Sequence, residues 1–170
     1  MEFPNQLWRE VFIVLGSSSA GLIGLLFIAA SLHVREIVNN PVFHARAFNN
    51  TCYLLIILVE TLLVLIPQRT SFLGAGLVAV NCAGLWLPLR FIYICLKDRE
   101  GFLRGGGSLF LAVTFSVSFL LGIAGGAALV AHLAWGIYLV AASCIILLVR
   151  VVLAAWSILE GVGQSESAPK

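Results

Sequence analysis

Residues 108–159 read SLFLAVTFSVSFLLGIAGGAALVAHLAWGIYLVAASCIILLVRVVLAAWSIL and contain one charged side chain, Arg150. A helix that crosses a bilayer needs about 20 mostly apolar residues. The stretch is too long for one such helix, so we predict two transmembrane helices joined by a turn near Ala131, His132 and Leu133. Continuous apolar runs such as IILLV lack the alternation of a membrane strand, and a helix satisfies its own backbone hydrogen bonds in lipid. The predicted fold class is therefore all-α.

Three more apolar segments precede this stretch, which gives a bundle of five transmembrane helices. The second segment is short, and its helix can begin earlier, at Pro41, because proline suits the first turn of a helix. We predict one transmembrane domain over residues 1–160, followed by a disordered polar tail over 161–170. The predicted spans are 11–34, 51–66, 72–96, 108–131 and 135–159.

The composition excludes several classes of protein. Hydrophobic residues make up 61% of the chain and charged residues 11%, whereas soluble domains average about 25% charged residues. A net charge of +2 without a basic stripe excludes a nucleic-acid partner. The four cysteines lie in apolar runs without a C-x-x-C pair, which argues against a disulfide framework or a metal site. Membrane lipid is the partner that this composition implies.

The lysines and arginines beside the spans fall mostly on one side of the membrane. Cytoplasmic loops carry an excess of these residues, and five spans put the two termini on opposite sides. We therefore predict that the N-terminus lies outside and the C-terminus is cytoplasmic. The richer side holds Arg35, Arg46, Lys97, Arg99, Arg104 and Lys170, and the other side holds Arg9 and Arg69.

Three charged residues lie inside the predicted spans: Glu60, Arg90 and Arg150. Ionisable groups in a membrane are costly and often functional. With a rise of about 1.5 Å per residue, their depths agree, so we predict a buried charge cluster. Its role is open between a structural salt bridge and a functional site in which the second arginine binds a substrate anion or a lipid phosphate. Alternatively, both arginines extend to the inner interface.

Pro88 lies inside the third span and predicts a helix kink, because proline removes a hydrogen bond and clashes with the carbonyl of Gly84. Such a kink shapes packing in most membrane helices and forms a hinge in some. It would free backbone oxygens about one turn from Arg90.

A second set of intramembrane polar residues is predicted nearer the outer face. Interhelical hydrogen bonds from serine or asparagine contribute about 0.6–2 kcal/mol. Gly122 and Gly126 form a G-x-x-x-G pair, which indicates helix packing within the chain or at a subunit contact. The alternative is a polar path that ends at Glu60. The predicted polar layer consists of Ser17, Ser18, Ser19 and Asn81.

Catalytic and cofactor patterns are weak. The chain has no G-x-S-x-G and no H-E-x-x-H pattern, so we predict no catalytic residue and no metal site. A non-enzymatic protein is favoured over an enzyme, and the question stays open. A haem held by His33 and His44 is geometrically conceivable, but His–His pairs near loops usually serve other roles. We therefore predict no cofactor.

The stretch SSSAGLIGLLFIAASLHVREIVNNPVFHARA at residues 17–47, followed by LVLIPQ at 63–68, resembles a widespread group of small polytopic bacterial inner-membrane proteins of unknown function. The resemblance covers about residues 1–70. It implies a multi-pass protein of the bacterial cytoplasmic membrane, and it implies no activity and no functional residue.

The leading functional hypothesis is an oligomeric, channel-like or small transport unit built around the buried Glu/Arg cluster. The alternative is an accessory or regulatory subunit of another membrane protein complex. A third hypothesis is a haem-binding or lipid-modifying membrane enzyme. The expected partners are lipid, further copies of the chain and, in the alternative, a second membrane protein.

Overall fold

The computed structural model describes residues 6–32, 41–97 and 106–166, and it gives the side-chain surroundings of residues 7–32, 47–90 and 113–156. These parts of the chain form five α-helices, each long and apolar enough to cross a membrane. The prediction of an all-α fold with five such helices is confirmed. The helices are α1 (Gln6–Leu32), α2 (Pro41–Leu65), α3 (Thr70–Lys97), α4 (Gly106–Val130) and α5 (Gly136–Glu166).

Three helix ends lie more than two residues from the predicted spans. Helix α1 begins at Gln6 and not at residue 11. Helix α2 begins at Pro41, the earlier of the two starts considered above. Helix α5 continues to Glu166, past residue 161, where a disordered tail was predicted to start. An established helix extends at low cost, since each added residue adds a backbone hydrogen bond without a new nucleation step. Helix α5 therefore includes residues 161–166, the first part of the predicted tail.

The turn between α4 and α5 lies at residues 131–135 and contains no glycine. His132 has a φ of 60°, the left-handed conformation that glycine usually supplies after a helix. The His132 N–H donates to Leu129 O at 3.0 Å, and the Leu133 N–H donates to Ala128 O at 2.9 Å. These two bonds form a Schellman motif, which satisfies carbonyls at the end of α4.

Helix α2 packs against α1, α3 and α5, and α4 packs against both α3 and α5. Glycines allow two of these contacts to be close. A Cβ atom added to Gly74 of α3 would lie 2.6 Å from Gly126 O of α4, and one added to Gly125 of α4 would lie 2.8 Å from Gly136 O of α5. Gly126 therefore packs against α3 of the same chain.

Helices α2 and α4 run in the same direction, with a constant offset between contacting residues. The rings of Tyr53 and Phe115 stack with centroids 4.3 Å apart. About two turns further along both helices, Glu60 and Gly122 both contact Asn81 of α3. The starts of α2 and α4 therefore lie at one end of the bundle, together with the ends of α3 and α5.

Candidate functional site

Glu60 of α2 lies in the centre of the bundle, and its side chain is 0% exposed. Ile57 and Val64, three residues before it and four after it, are also buried. These spacings put all three residues on one helical face, the face that α2 turns towards α3 and α5. Burial of an apolar stripe along α2 thus carries a carboxyl group into the core.

Two side chains from different helices bind the Glu60 carboxyl. Asn81 Nδ2 of α3 donates to Glu60 Oε1 at 2.5 Å, and Cys144 Sγ of α5 donates to Glu60 Oε2 at 2.9 Å. Asn81 Nδ2 also donates to the carbonyl of Leu77 at 2.9 Å. A partner on each oxygen lowers the cost of burying the carboxyl group and ties three helices together at one level.

Gly122 of α4 completes this level. A Cβ atom added there would collide with the side-chain amide of Asn81, so only glycine leaves room for the amide beside Glu60. Asn81 Oδ1 is buried and has no hydrogen-bond partner among the described residues. We name Glu60, Asn81, Gly122 and Cys144 the Glu60 layer.

The predicted cluster of Glu60, Arg90 and Arg150 does not form. Arg150 donates to Thr114 Oγ1 of α4 through Nε at 3.0 Å and also through Nη2. Arg90 is exposed. The prediction of the cluster is therefore corrected: the partners of Glu60 are the neutral Asn81 and Cys144.

Helix geometry explains why the arginines lie elsewhere. Arg90 follows Asn81 by nine positions, and at about 100° per residue it points to the opposite face of α3. Arg150 follows Cys144 by six positions and lies about 9 Å further along α5. Similar estimated depths in the membrane therefore did not predict contact. Arg90 lies on the wrong face of α3, and Arg150 lies too far along α5 to reach Glu60.

The predicted polar layer also separates into unconnected parts. Ser19 is buried and donates to the carbonyl of Leu54 at 3.1 Å. Ser17 and Ser18 are exposed, and Ser17 donates to its own helix at Val14 O. Neighbouring residues of a helix point about 100° apart, so one of the three serines faces α2 and the other two do not.

Pro88 is buried within α3, and the helix continues on both sides of it to Lys97. Gly84, whose carbonyl loses its usual hydrogen bond to residue 88, lies close to Phe119. A Cβ atom there would also lie 2.9 Å from Ile56 Cδ1. This part of α3 therefore packs closely against both α2 and α4.

Four residues that the structure joins to the site were not predicted from the sequence. Cys144 is one of the four cysteines in apolar runs, and nothing in its apolar neighbourhood indicates a bond to Glu60. Thr114 and Ser118 lie four residues apart in an apolar helix, a spacing that puts two hydroxyls on one face. Ser143 donates to the carbonyl of Ser118 at 2.8 Å, which connects α5 to the same face of α4.

Several predicted residues fall outside the described parts of the chain. These include His33 and the side chain of His44, which were considered for haem, and the loop residues Arg35, Arg99 and Arg104. Within the described residues, no group of three or more His, Cys, Asp or Glu side chains is placed to hold a metal ion. In comparisons with protein-family models, with curated proteins and with solved structures, nothing matches this chain.

Proposed function

We propose that this multi-pass membrane protein is a small proton-linked transport unit in which Glu60 takes up and releases a proton. The observation that carries the proposal is a fully buried carboxyl whose described partners, Asn81 and Cys144, are both neutral. A buried carboxylate without a cation is costly and is relieved by protonation. Carboxyls in the interior of a helical membrane bundle commonly serve proton or ion pathways.

The surroundings of Glu60 favour a proton over a metal ion. A hard cation such as Ca²⁺ or Mg²⁺ requires several oxygen ligands. Both neighbours of Glu60 instead direct hydrogen-bond donors, an amide N–H and a thiol S–H, at its oxygens. These donors stabilise the ionised carboxyl, and protonation needs only the rearrangement of one of them. The side chains around Glu60 thus suit both protonation states of its carboxyl group.

We also infer that the protein resides in the bacterial cytoplasmic membrane, with its N-terminus outside and its C-terminus inside. The excess of lysine and arginine on one side supports this orientation. The resemblance over about residues 1–70 supports the bacterial location.

The proposal predicts that Glu60→Gln abolishes proton flux. Glutamine keeps the size of the side chain and the acceptor for Asn81, but it neither binds nor releases a proton. The measurement is acidification of liposomes that contain the purified protein and a trapped pH-sensitive dye, with an imposed pH gradient and a potassium diffusion potential.

The matched control is Glu10→Gln, which makes the same chemical change at an exposed position of α1. We expect wild-type flux from Glu10→Gln and folded protein, by elution volume and circular dichroism, from both variants. Undiminished flux in a folded Glu60→Gln protein would reject the proposal, as would a wild-type protein that conducts no protons above empty liposomes.

A second candidate function, an accessory subunit of another membrane protein, is favoured by the outer face of α1. Gly21 and Gly24 have no described atom within 4 Å of an added Cβ, and the large side chains of Leu25, Phe27 and Ile28 are exposed beside them. Small residues allow close helix contact in membranes, so this face suits another transmembrane helix. The subunit composition of particles extracted from native membranes separates the two functions: copies of this chain alone favour the transport unit, and a stoichiometric second protein favours the accessory subunit.

A further inference from the structure

Buried polar groups are distributed unequally on the two sides of the Glu60 layer. Towards the end of the bundle where α4 turns into α5, the buried side chains beyond this layer are apolar in the described chain, apart from Thr61 immediately beside Glu60. They include Val64, Leu73, Leu77, Leu129 and Ile137. Close glycine contacts between α3, α4 and α5 further tighten this half of the bundle. Among the described buried side chains on this side, Thr61 is therefore the only polar group that a proton leaving Glu60 would meet.

Towards the opposite end, polar groups continue along the contact between α4 and α5. Ser143 lies beside Cys144 and donates to Ser118 O at 2.8 Å. Ser118 Oγ donates to Thr114 O at 3.0 Å, and Thr114 Oγ1 accepts from Arg150. We name these four residues, Ser143, Ser118, Thr114 and Arg150, the α4–α5 seam.

Exposure increases along the α4–α5 seam. Ser143 and Ser118 are 0% exposed, whereas Thr114 and Arg150 are partly exposed. The seam extends about 9 Å along α5, from the level of Cys144 to that of Arg150. It therefore leads from the centre of the bundle towards the end where α2 begins and α5 ends.

An independent observation at the same end points to water. Asn50 of α2 is only 4% exposed, and its Nδ2 has no hydrogen-bond partner among the described residues. Asn50 lies one turn before Tyr53, whose ring stacks on Phe115, the neighbour of Thr114. Buried polar atoms without a protein partner are usually satisfied by ordered water. Water at Asn50 would thus lie at the same end of the bundle as the outer part of the α4–α5 seam.

We propose that the α4–α5 seam is the route by which protons reach Glu60, and that in this conformation the route opens at the end of the bundle where α2 begins and α5 ends. Transport across the membrane then requires a second conformation in which Glu60 reaches the other side. This inference rests on the proposed role of Glu60 as a proton site. Each serine hydroxyl donates its hydrogen to a carbonyl and keeps lone pairs that accept a hydrogen bond from water. A hydrated proton moves along this hydroxyl surface and binds a Glu60 oxygen, and the reverse path returns it to water. One O–H bond forms as another breaks, and no electron is transferred.

The test is the rate at which the Glu60 carboxyl exchanges its hydrogen for deuterium in lipid. The probe is deuterium oxide, and the readout is the infrared carbonyl band of the protonated acid, assigned to Glu60 by its absence in Glu60→Gln. Thr114→Val keeps the shape of the side chain and removes the hydroxyl. We expect it to slow exchange by about tenfold, the effect of raising a barrier by about 1.4 kcal/mol.

Ser118→Ala is the second variant, because it removes a seam hydroxyl that bonds only within α4, and we expect it to slow exchange as well. Thr114→Ser restores the hydroxyl and should restore the rate. The matched control is Thr61→Val, which removes a buried hydroxyl next to Glu60 that bonds to its own helix at Leu58 O and lies outside the seam. Its exchange rate should equal that of the wild type.

Wild-type exchange rates in both Thr114→Val and Ser118→Ala would reject the α4–α5 seam as the proton route. Equal slowing of exchange in Thr61→Val would reject it as well. A wild-type protein without a carboxylic acid band from Glu60 at any pH at which it is folded would overturn it too. Exchange is measured without net transport. Slow exchange in the seam variants of a protein that shows no proton flux would therefore support the seam and reject the transport function.

Discussion

Single residues show how closely the site depends on what surrounds the carboxyl. Glu60 is held by an amide, the amide is held in place by the surface of α4, and that surface has room for it because residue 122 is glycine. Gly122 was predicted from the G-x-x-x-G spacing to serve helix packing. In the structure it also determines where the Asn81 amide lies. Gly122 therefore serves both helix packing and the polar site around Glu60.

We expect Gly122→Ala to destabilise the protein and to disturb Glu60. The added methyl group overlaps the amide of Asn81, and insertion of a methyl group into a packed core typically costs about 1–3 kcal/mol. Movement of Asn81 would also remove the hydrogen bond to Glu60 Oε1. The measurement is thermal unfolding in mild detergent, combined with the infrared carbonyl band of Glu60.

The matched control for this change is Gly76→Ala, at a glycine of α3 whose added Cβ would lie 3.5 Å from Leu63 Cδ1, an ordinary van der Waals distance. Alanine is a better helix former than glycine by about 0.5–1 kcal/mol, so Gly76→Ala should leave stability unchanged or raise it slightly. Equal melting temperatures for Gly122→Ala and wild type, with an unshifted carbonyl band, would show that α4 does not hold Asn81 in this way.

At the scale of helices, the turn between α4 and α5 places a residue other than glycine in a left-handed conformation. The turn is required because the apolar stretch is too long for one span, yet the residue that adopts the left-handed conformation is His132. A left-handed conformation costs a residue with a Cβ atom roughly 1–2 kcal/mol. The two Schellman hydrogen bonds, from the N–H groups of His132 and Leu133, offset part of this cost.

His132→Gly should therefore stabilise the protein by about 1 kcal/mol, since glycine adopts the left-handed conformation without a steric penalty. Thermal unfolding in detergent measures this change. Ala131→Gly, one position earlier and without a positive φ, is the control, and it should lower stability through the greater freedom of glycine in the unfolded chain. A melting temperature for His132→Gly at or below that of Ala131→Gly would contradict the strain at His132.

The sequence predicted the helices well and the site only in part, and the reason is physical. Span length and apolar composition are properties of one segment, so five apolar helices follow from them. The contacts of Glu60 depend on the rotation of each helix about its axis. That rotation placed Cys144 against Glu60 and turned Arg90 to the opposite face of α3. Burial cost indicated that Glu60 needed partners, but it did not indicate which residues they were.

At the scale of the whole molecule, the five helices bury the Glu60 layer but leave α1 poorly covered. The core reaches α1 through Phe12, Leu15 and Ser19. Gly21 and Gly24 lie on a face of α1 that no other described part of the chain covers. Association of transmembrane helices depends on van der Waals contact at small residues. Contact with lipid alone would not favour glycine over leucine at these positions, because leucine packs against lipid at least as well. This argues that α1 contacts another helix in the membrane, and a second copy of the chain provides one wherever the protein is expressed alone.

We therefore expect the purified protein to be a homo-oligomer, and Gly21→Leu to convert it to the monomer by filling the face at which the copies meet. Native mass spectrometry after release from mild detergent measures the number of chains and any bound lipid. Ala75→Leu, the same kind of enlargement at an exposed position of α3, should keep the oligomer.

A monomeric wild type would remove the support for self-association through α1. If the oligomer is unchanged in Gly21→Leu, the copies meet at a face of the bundle other than the one that contains Gly21. Loss of the oligomer with retained deuterium exchange at Glu60 would mean that each chain carries a complete proton site, because the Glu60 layer and the α4–α5 seam lie within one chain.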